Sequence, residues 1–240
     1  MTEQPTASAA PQATHLPPGA PHGVRSVYDQ ELAAVKDRIL RMGAMVEAQI
    51  RSAIDAMVRH DAATALQVIV DDRQINDLQR DVTGMIAAII ATQTPVAGDL
   101  RYLLTLDHVS YELERMGDHA SSVAKQGRKL APHAPLKDYV DLPLLGERVA
   151  DLVRGIIRAL VDTDQEQARA VAALDDEVDA LYHRIFDEVL DLMREDPANV
   201  EPGTRILFAA HYLERIGDRV TNIGEDIVFL ATGAVEDLNP

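Results

Sequence analysis

The chain has no cysteine and no tryptophan among its 240 residues, and aromatic residues make up only 4% of it. Without cysteine, disulfides, thiolate nucleophiles and zinc–sulfur sites are excluded. A core so poor in aromatics must be filled by Leu, Ile, Val, Met and Ala, which suit close helix–helix packing better than a β-sandwich or barrel. The composition therefore favours an all-α fold.

Long apolar runs and excess positive charge are also missing. No run approaches the ~20 apolar residues that a membrane span needs, and the N-terminus lacks the basic and apolar regions of a secretory signal. The formal net charge of −16 repels nucleic acid and anionic lipid headgroups and attracts cations. We therefore expect a cytoplasmic protein with no integral membrane segment and no nucleic-acid partner.

Motifs for organic cofactors and for histidine-based metal sites are absent from the sequence. It contains neither GxxxxGK[ST] nor GxGxxG, so no organic cofactor is expected. It also lacks HExxH and ExxH, which argues against zinc proteases and the ferritin-like di-iron bundle. His211, three residues before Glu214, could be an accessory ligand, but a polar-face or partly buried histidine is the commoner case.

Proline-rich segments divide the chain. Residues 1–27 form a Pro/Ala-rich tail with too little large apolar surface to fold, and we expect it to be disordered. Apolar residues at helical spacing predict three long helices within residues 28–130 and three more within 138–233. The proline-rich segment 131–137 is the predicted linker between them, and 234–240 form a C-terminal tail.

Capping residues mark the predicted helix boundaries. Asp61 and Asp164 each follow a break in the apolar stripe, so they are predicted to cap the second and fifth helices. Thr94-Pro95 resembles an N-cap followed by proline at the first helical position, and is predicted to open the third helix. The fifth helix is expected to continue to about Asp196-Pro197, after which residues 201–203 open the sixth.

The two halves repeat each other at an offset of about one hundred residues. Residues 113–118 read LERMGD and residues 213–218 read LERIGD, so one Met/Ile exchange separates the two motifs. Gly43 matches Gly146, and Asp72 matches Asp175. Coincidence explains this poorly, so the sequence predicts an internal duplication: six long helices arranged as two three-helix bundles.

Carboxylates recur at a spacing of four residues in both halves, which places them side by side on one helix face. Such like-charged pairs cost a few tenths of a kcal/mol each on an isolated helix, and a hard cation would offset that cost. The alternative is an ordinary solvated acidic face with ion pairs to Arg115 and Arg215. The predicted metal ligands are Asp175, Asp179, Glu214, Asp218, Asn222 and Glu225 in the second half, and Asp72, Glu114 and Asp118 in the first.

The two predicted sites differ in charge. In the first half, Asn76 occupies the position equivalent to Asp179, and Lys125 occupies the position equivalent to Glu225. The formal charges of the first set, with Lys125, sum to −2, whereas those of the second set sum to −5. We therefore expect metal to bind more tightly in the second half, and the first-half site to be weak or vacant.

The doubled LERxGD motif and the segment PVAGDLR at 95–101 resemble the PhoU family over about residues 28–233. The resemblance implies two three-helix bundles related by pseudo-twofold symmetry. In some members it also implies multinuclear clusters of iron or other metals held on ExxxD motifs. The metal here would be Fe, Zn, Mn or Mg.

The same resemblance implies a function. The protein would be a negative regulator of phosphate uptake and of the phosphate-starvation response, acting through the PstB ATPase subunit of the PstSCAB transporter and a PhoR-type sensor kinase. We expect a homodimer with no catalytic turnover. One rival is a carboxylate-bridged metalloenzyme, although the sequence offers no candidate base beyond the acids themselves. Another is a purely structural helical scaffold with solvated acids.

Overall fold

The structure, a computed structural model, describes residues 22–238, with side chains from residue 26. Most of the predicted tail, residues 1–21, lies outside the described residues, but 22–27 already belong to the first helix. Within the described range every regular element is helical, and no helix there combines the length and apolarity of a bilayer span. The predicted all-α class is confirmed.

The helices form two bundles that follow each other along the chain. The first contains α1 (His22–Val58), α2 (Ala62–Gln93) and α3 (Ala97–Leu130). The second contains α4 (Asp141–Asp162), α5 (Gln165–Ala172), α6 (Asp175–Glu195) and α7 (Val200–Thr232), with a 3-10 turn at Pro197–Asn199. The bundles join where α1 packs on α4 and α3 packs on α7.

Two of the predicted caps are confirmed and one is wrong. Asp61 Oδ1 accepts hydrogen bonds from the backbone amides two and three residues on, at 3.0 and 3.1 Å, and Asp164 does the same at 3.0 Å. Thr94 instead ends α2 in a left-handed conformation, with φ of 45°. Because a residue before proline is disfavoured in the right-handed helical region, α2 stops there. Helix α3 then begins at Ala97, with Val96 as its N-cap.

The predicted fifth helix is divided into α5 and α6. The break consists of Ala173 and Leu174, which form a turn. Three acidic residues, Asp175 to Glu177, then occupy the first turn of α6, where negative charge is favoured by the helix dipole. The second helix of the second bundle therefore restarts at Asp175, one of the predicted ligands.

Candidate functional site

Each bundle buries one aspartate against the glycine of its LERxGD motif. Asp72 on α2 is 8% exposed, and Asp175 on α6 is 4% exposed. A Cβ atom added at Gly117 would lie 3.3 Å from Asp72 Oδ1, and one added at Gly217 would overlap Asp175 Oδ1. The second motif requires glycine because the Asp175 carboxylate occupies the space of a side chain there, and in the first motif Ile75 and Asp72 leave little room for one.

In the second bundle, four of the predicted ligands come together: Asp175, Asp179, Glu214 and Asp218. The pKa of Asp175 is raised to about 7, chiefly by burial and also by the negative charges of Asp179, Asp218 and Glu214. Burial also raises the pKa of Glu214 to about 7, helped by Asp218 and Asp179 and opposed by Arg215. Burial and the charge of Asp218 raise the pKa of Asp179 as well. The protein thus compensates the negative charge of this cluster only in part.

In the first bundle, Asp72, Glu114 and Asp118 come together. The buried aspartate, Asp72, accepts a hydrogen bond from a side-chain amide. Gln49 Nε2 on α1 donates a hydrogen bond to Asp72 Oδ1 at 3.0 Å. The pKa of Asp72 is raised, chiefly by burial and also by the charge of Asp118. The hydrogen bond from Gln49 and the charge of Lys125 oppose this rise. Burial raises the pKa of Glu114, and Asp118 adds to that effect.

Sequence reasoning missed Gln49 because it lies on the helix face assigned to the core. At the matching position of the second bundle stands Leu152, which cannot donate a hydrogen bond, and both residues are buried. A polar side chain interrupting an apolar stripe was the signal available in the sequence. The two sites therefore differ in the residue at this position as well as in net charge.

The structure pairs Asn222 and Glu225 with groups outside the four carboxylates. Asn222 Nδ2 donates to Glu112 Oε2 on α3 at 3.4 Å, and Glu225 Oε1 accepts from the backbone amide of Leu238 at 3.1 Å. Asn222 and Glu225 follow Glu214 by eight and eleven residues, which places them about 12 and 16 Å further along the helix axis. One metal ion could not bind Glu214 together with either of them.

The donor chemistry of both sites fits a hard cation, since the clustered candidates are all carboxylates. Glu114 Oε2 and Glu214 Oε2 are buried and accept no hydrogen bond. His211 Nδ1 lies 3.3 Å from Glu214 Oε2, but not in hydrogen-bonding geometry. As the side chains are placed, however, no three histidine or carboxylate groups among the described residues could share a metal ion.

Arginines of the LERxGD motifs account for part of this arrangement. Arg215 Nη1 donates to Asp218 Oδ2 at 2.6 Å, and Arg115 Nη1 donates to Asp118 Oδ2 at 3.3 Å. These are the ion pairs expected of the solvated alternative. Asp218 can therefore coordinate a metal only if its ion pair with Arg215 breaks. The same holds for Asp118 and Arg115.

Comparison with known proteins supports the duplicated architecture. A family model described as PhoU domain matches residues 39–127 and 142–227, one segment in each bundle. A phosphate-specific transport system accessory protein PhoU homolog from Clostridium acetobutylicum is 37% identical over 216 residues, which cover 90% of this chain and 99% of that protein. The homolog from Rhizobium meliloti is 35% identical over 88% of this chain and 90% of its own length.

Solved structures agree with the fold. PhoU from Pseudomonas aeruginosa superposes with a TM-score of 0.82 at 33% identity, over 86% of this chain and all of that one. The phosphate transport system regulatory protein PhoU from Streptococcus pneumoniae gives a TM-score of 0.80 at 26% identity, over 88% and 99% of the two chains. With both repeats matched and the relatives covered almost end to end, this chain belongs to the PhoU family.

Proposed function

We propose that this chain is the accessory protein of a phosphate-specific transport system and a negative regulator of phosphate uptake and of the phosphate-starvation response. The observation that carries the proposal is the extent of the match, because the chain covers 99% of the C. acetobutylicum accessory protein. In this proposal it is a cytoplasmic homodimer that contacts the PstB ATPase subunit and a PhoR-type sensor kinase.

In this proposal the protein has no turnover of its own. After a change in their side-chain conformations, Asp175, Asp179, Glu214 and Asp218 would hold metal ions that join α6 to α7, and a first-half ion would join α2 to α3. Fe, Zn, Mn and Mg all accept carboxylate oxygens and supply positive charge where carboxylates are poorly compensated. Such ions would stabilise the helix surfaces that other proteins contact.

A strain deleted for this gene and for any paralogue, and carrying a phosphate-starvation reporter, tests the regulatory role. In high phosphate, we expect constitutive reporter expression in the deletion strain and repression when the full chain is restored. An unchanged, repressed reporter in the deletion strain would contradict the proposal.

Metal binding needs a separate test. After chelation, the purified full chain is reloaded with Fe, Zn, Mn or Mg in turn, dialysed, and analysed for bound metal. Retention of at least one metal is expected, and retention of none would favour a scaffold with solvated acids. Turnover of a generic phosphoester or of oxygen by the loaded protein, lost in Asp218→Ala, would favour the metalloenzyme instead.

A further inference from the structure

Aromatic side chains are concentrated on one surface of the second bundle. The chain has nine Phe and Tyr residues, and four of them lie together: Tyr182 and Phe186 on α6, and Phe208 and Tyr212 on α7. The ring centroids of Tyr182 and Phe186 are 6.2 Å apart, and those of Phe208 and Tyr212 are 6.5 Å apart. We call these four side chains the aromatic face.

Histidines connect the two helices of the aromatic face. The His211 ring lies 6.2 Å from that of Tyr182 and 6.1 Å from that of Tyr212. His119 on α3 stacks on Tyr212 at 5.9 Å. Phe186 and Phe208 are 37% and 46% exposed. Exposed rings held in a contiguous array mark interaction sites more often than isolated surface side chains do.

Elsewhere the chain covers aromatic rings with its own cations. The three pairs, with distances to the ring centroid, are Lys36 over Tyr102 at 4.8 Å, Arg101 over Phe229 at 5.2 Å, and Arg115 over Tyr111 at 4.8 Å. Within residues 26–238, no lysine or arginine is placed over a ring of the aromatic face. The exposed rings of Phe186 and Phe208 are therefore available to a cation from another molecule.

Negative charge borders the same surface. Burial and then the charge of Glu214 raise the pKa of Tyr182, so this carboxylate acts directly on the aromatic face. Asp179 interacts electrostatically with His183, whose ring lies 5.5 Å from that of Tyr182. A cation at the Tyr182 and Phe186 end of the aromatic face would therefore lie near Glu214, whose charge favours arginine or lysine over an apolar group. The positive charges of Arg219 and Arg215 act at the other end, on His119 beside Tyr212.

We propose that the aromatic face docks an arginine-bearing segment of a partner protein, with guanidinium groups over Phe186 and Phe208. Arginine suits the site better than lysine because its planar group stacks on rings and pairs with carboxylates at the same time. The inference does not depend on the proposed role in phosphate control.

The test measures binding of two synthetic helical peptides, identical except that one carries four arginines and the other four lysines on one face. Isothermal titration with the full, chelator-treated chain should show tighter binding of the arginine peptide. The double variant Phe186→Leu/Phe208→Leu keeps the apolar surface but removes both rings. We expect its affinity for the arginine peptide to fall by roughly two- to fivefold for each ring removed. The preference for arginine should disappear in the same variant.

Leu104→Ala is the matched control, because Leu104 is 53% exposed on α3 and belongs to no ring cluster. It should leave both affinities unchanged. Equal binding of the two peptides by the unsubstituted chain, or equal losses in the control and the double variant, would overturn the proposal. So would dissociation of a homodimer by the double variant in sedimentation, since a second copy would then occupy the face.

Discussion

Gly146 on α4 faces Ile54 on α1 so closely that a Cβ atom at residue 146 would lie 2.6 Å from Ile54 Cγ1. Gly43 on α1 faces Ile157 on α4 in the same way, at 2.8 Å. The two glycines occupy equivalent positions in the two repeats, as do the two isoleucines. The bundles are thus joined through a pair of reciprocal glycine–isoleucine contacts.

Gly146→Ala should destabilise the protein by about 1–3 kcal/mol, because overpacking forces a stiff, β-branched side chain to move. Urea unfolding measures the change. Gly84→Ala is the control: its added Cβ meets nothing within 4 Å, so the helix should gain about 0.5–1 kcal/mol. A shift in the same direction for both variants would argue against the close contact.

Buried Glu112 on α3 forms an ion pair with Arg219 on α7, whose side chain is 24% exposed. Glu112 is 3% exposed, and Arg219 Nη1 lies 3.3 and 3.2 Å from its two carboxylate oxygens. Arg219→Gln should lower the free energy of unfolding by about 1.5–3 kcal/mol, because it removes the cationic donor to a buried carboxylate and leaves Asn222 bonded to it.

The comparison for that variant is Arg80→Gln, which removes an exposed pair with Asp77. Such surface pairs contribute about 0–1 kcal/mol. Chemical unfolding of both proteins at pH 7.5 gives the two values. Losses of similar size would mean that the α3–α7 pair is no more important than a surface pair.

Gln49→Leu introduces the residue type of the second bundle into the first. It removes the amide donor to buried Asp72, so it should destabilise the protein by about 1–3 kcal/mol near pH 7. Gln67→Leu breaks an exposed hydrogen bond to Asp71 and should change stability by less than about 0.5 kcal/mol. Unfolding curves in the presence of chelator compare the stabilities of the two variants. A Gln49→Leu protein as stable as the control would disprove the stabilising role of the Gln49–Asp72 hydrogen bond.

The buried Asp175 should make the stability of the metal-free protein depend on pH. Its pKa is raised from 3.8 to about 7, chiefly by burial. Between about pH 4 and pH 7 the unfolded chain therefore ionises this group while the folded chain keeps the proton. The contribution of Asp175 to stability is full below about pH 4 and is lost as the pH rises towards 7.

Asp175→Asn removes this dependence. The free energy of unfolding of the variant minus that of the unsubstituted chain should be larger at pH 7.5 than at pH 4.5, by roughly 1–3 kcal/mol. Urea unfolding of both proteins with chelator at the two pH values provides the four numbers. A stability difference that stays constant with pH would show that Asp175 ionises normally in the fold.

Metal content should distinguish the two bundles. Glu214→Ala/Asp218→Ala is expected to remove more bound metal than Glu114→Ala/Asp118→Ala, because the second site has four clustered carboxylates and the first has three, with Lys125 acting on Asp72. Elemental analysis after reloading and dialysis measures both. A larger loss from the first-bundle variant would reverse the proposed order of affinity.

Features that depend on nearby residues could be predicted from the sequence. Helical periodicity indicated the all-α fold, the recurring motif indicated the duplication, and Asp61 and Asp164 cap helices as their spacing predicted. The same local reasoning placed Glu214 and Asp218 on one face. It failed at Thr94, where the residue before a proline ends one helix and does not begin the next.

The sequence by itself determined that the chain is helical and which carboxylates share a helix face, because both follow from distances along one chain segment. Only the tertiary structure decided what meets across helices. Although the LERxGD segments repeat, Glu112 pairs with Arg219 while the equivalent residues, Tyr212 and His119, stack as rings. Asn222 likewise turns to α3. Contacts of this kind depend on how two helices pack, which spacing within either helix does not specify.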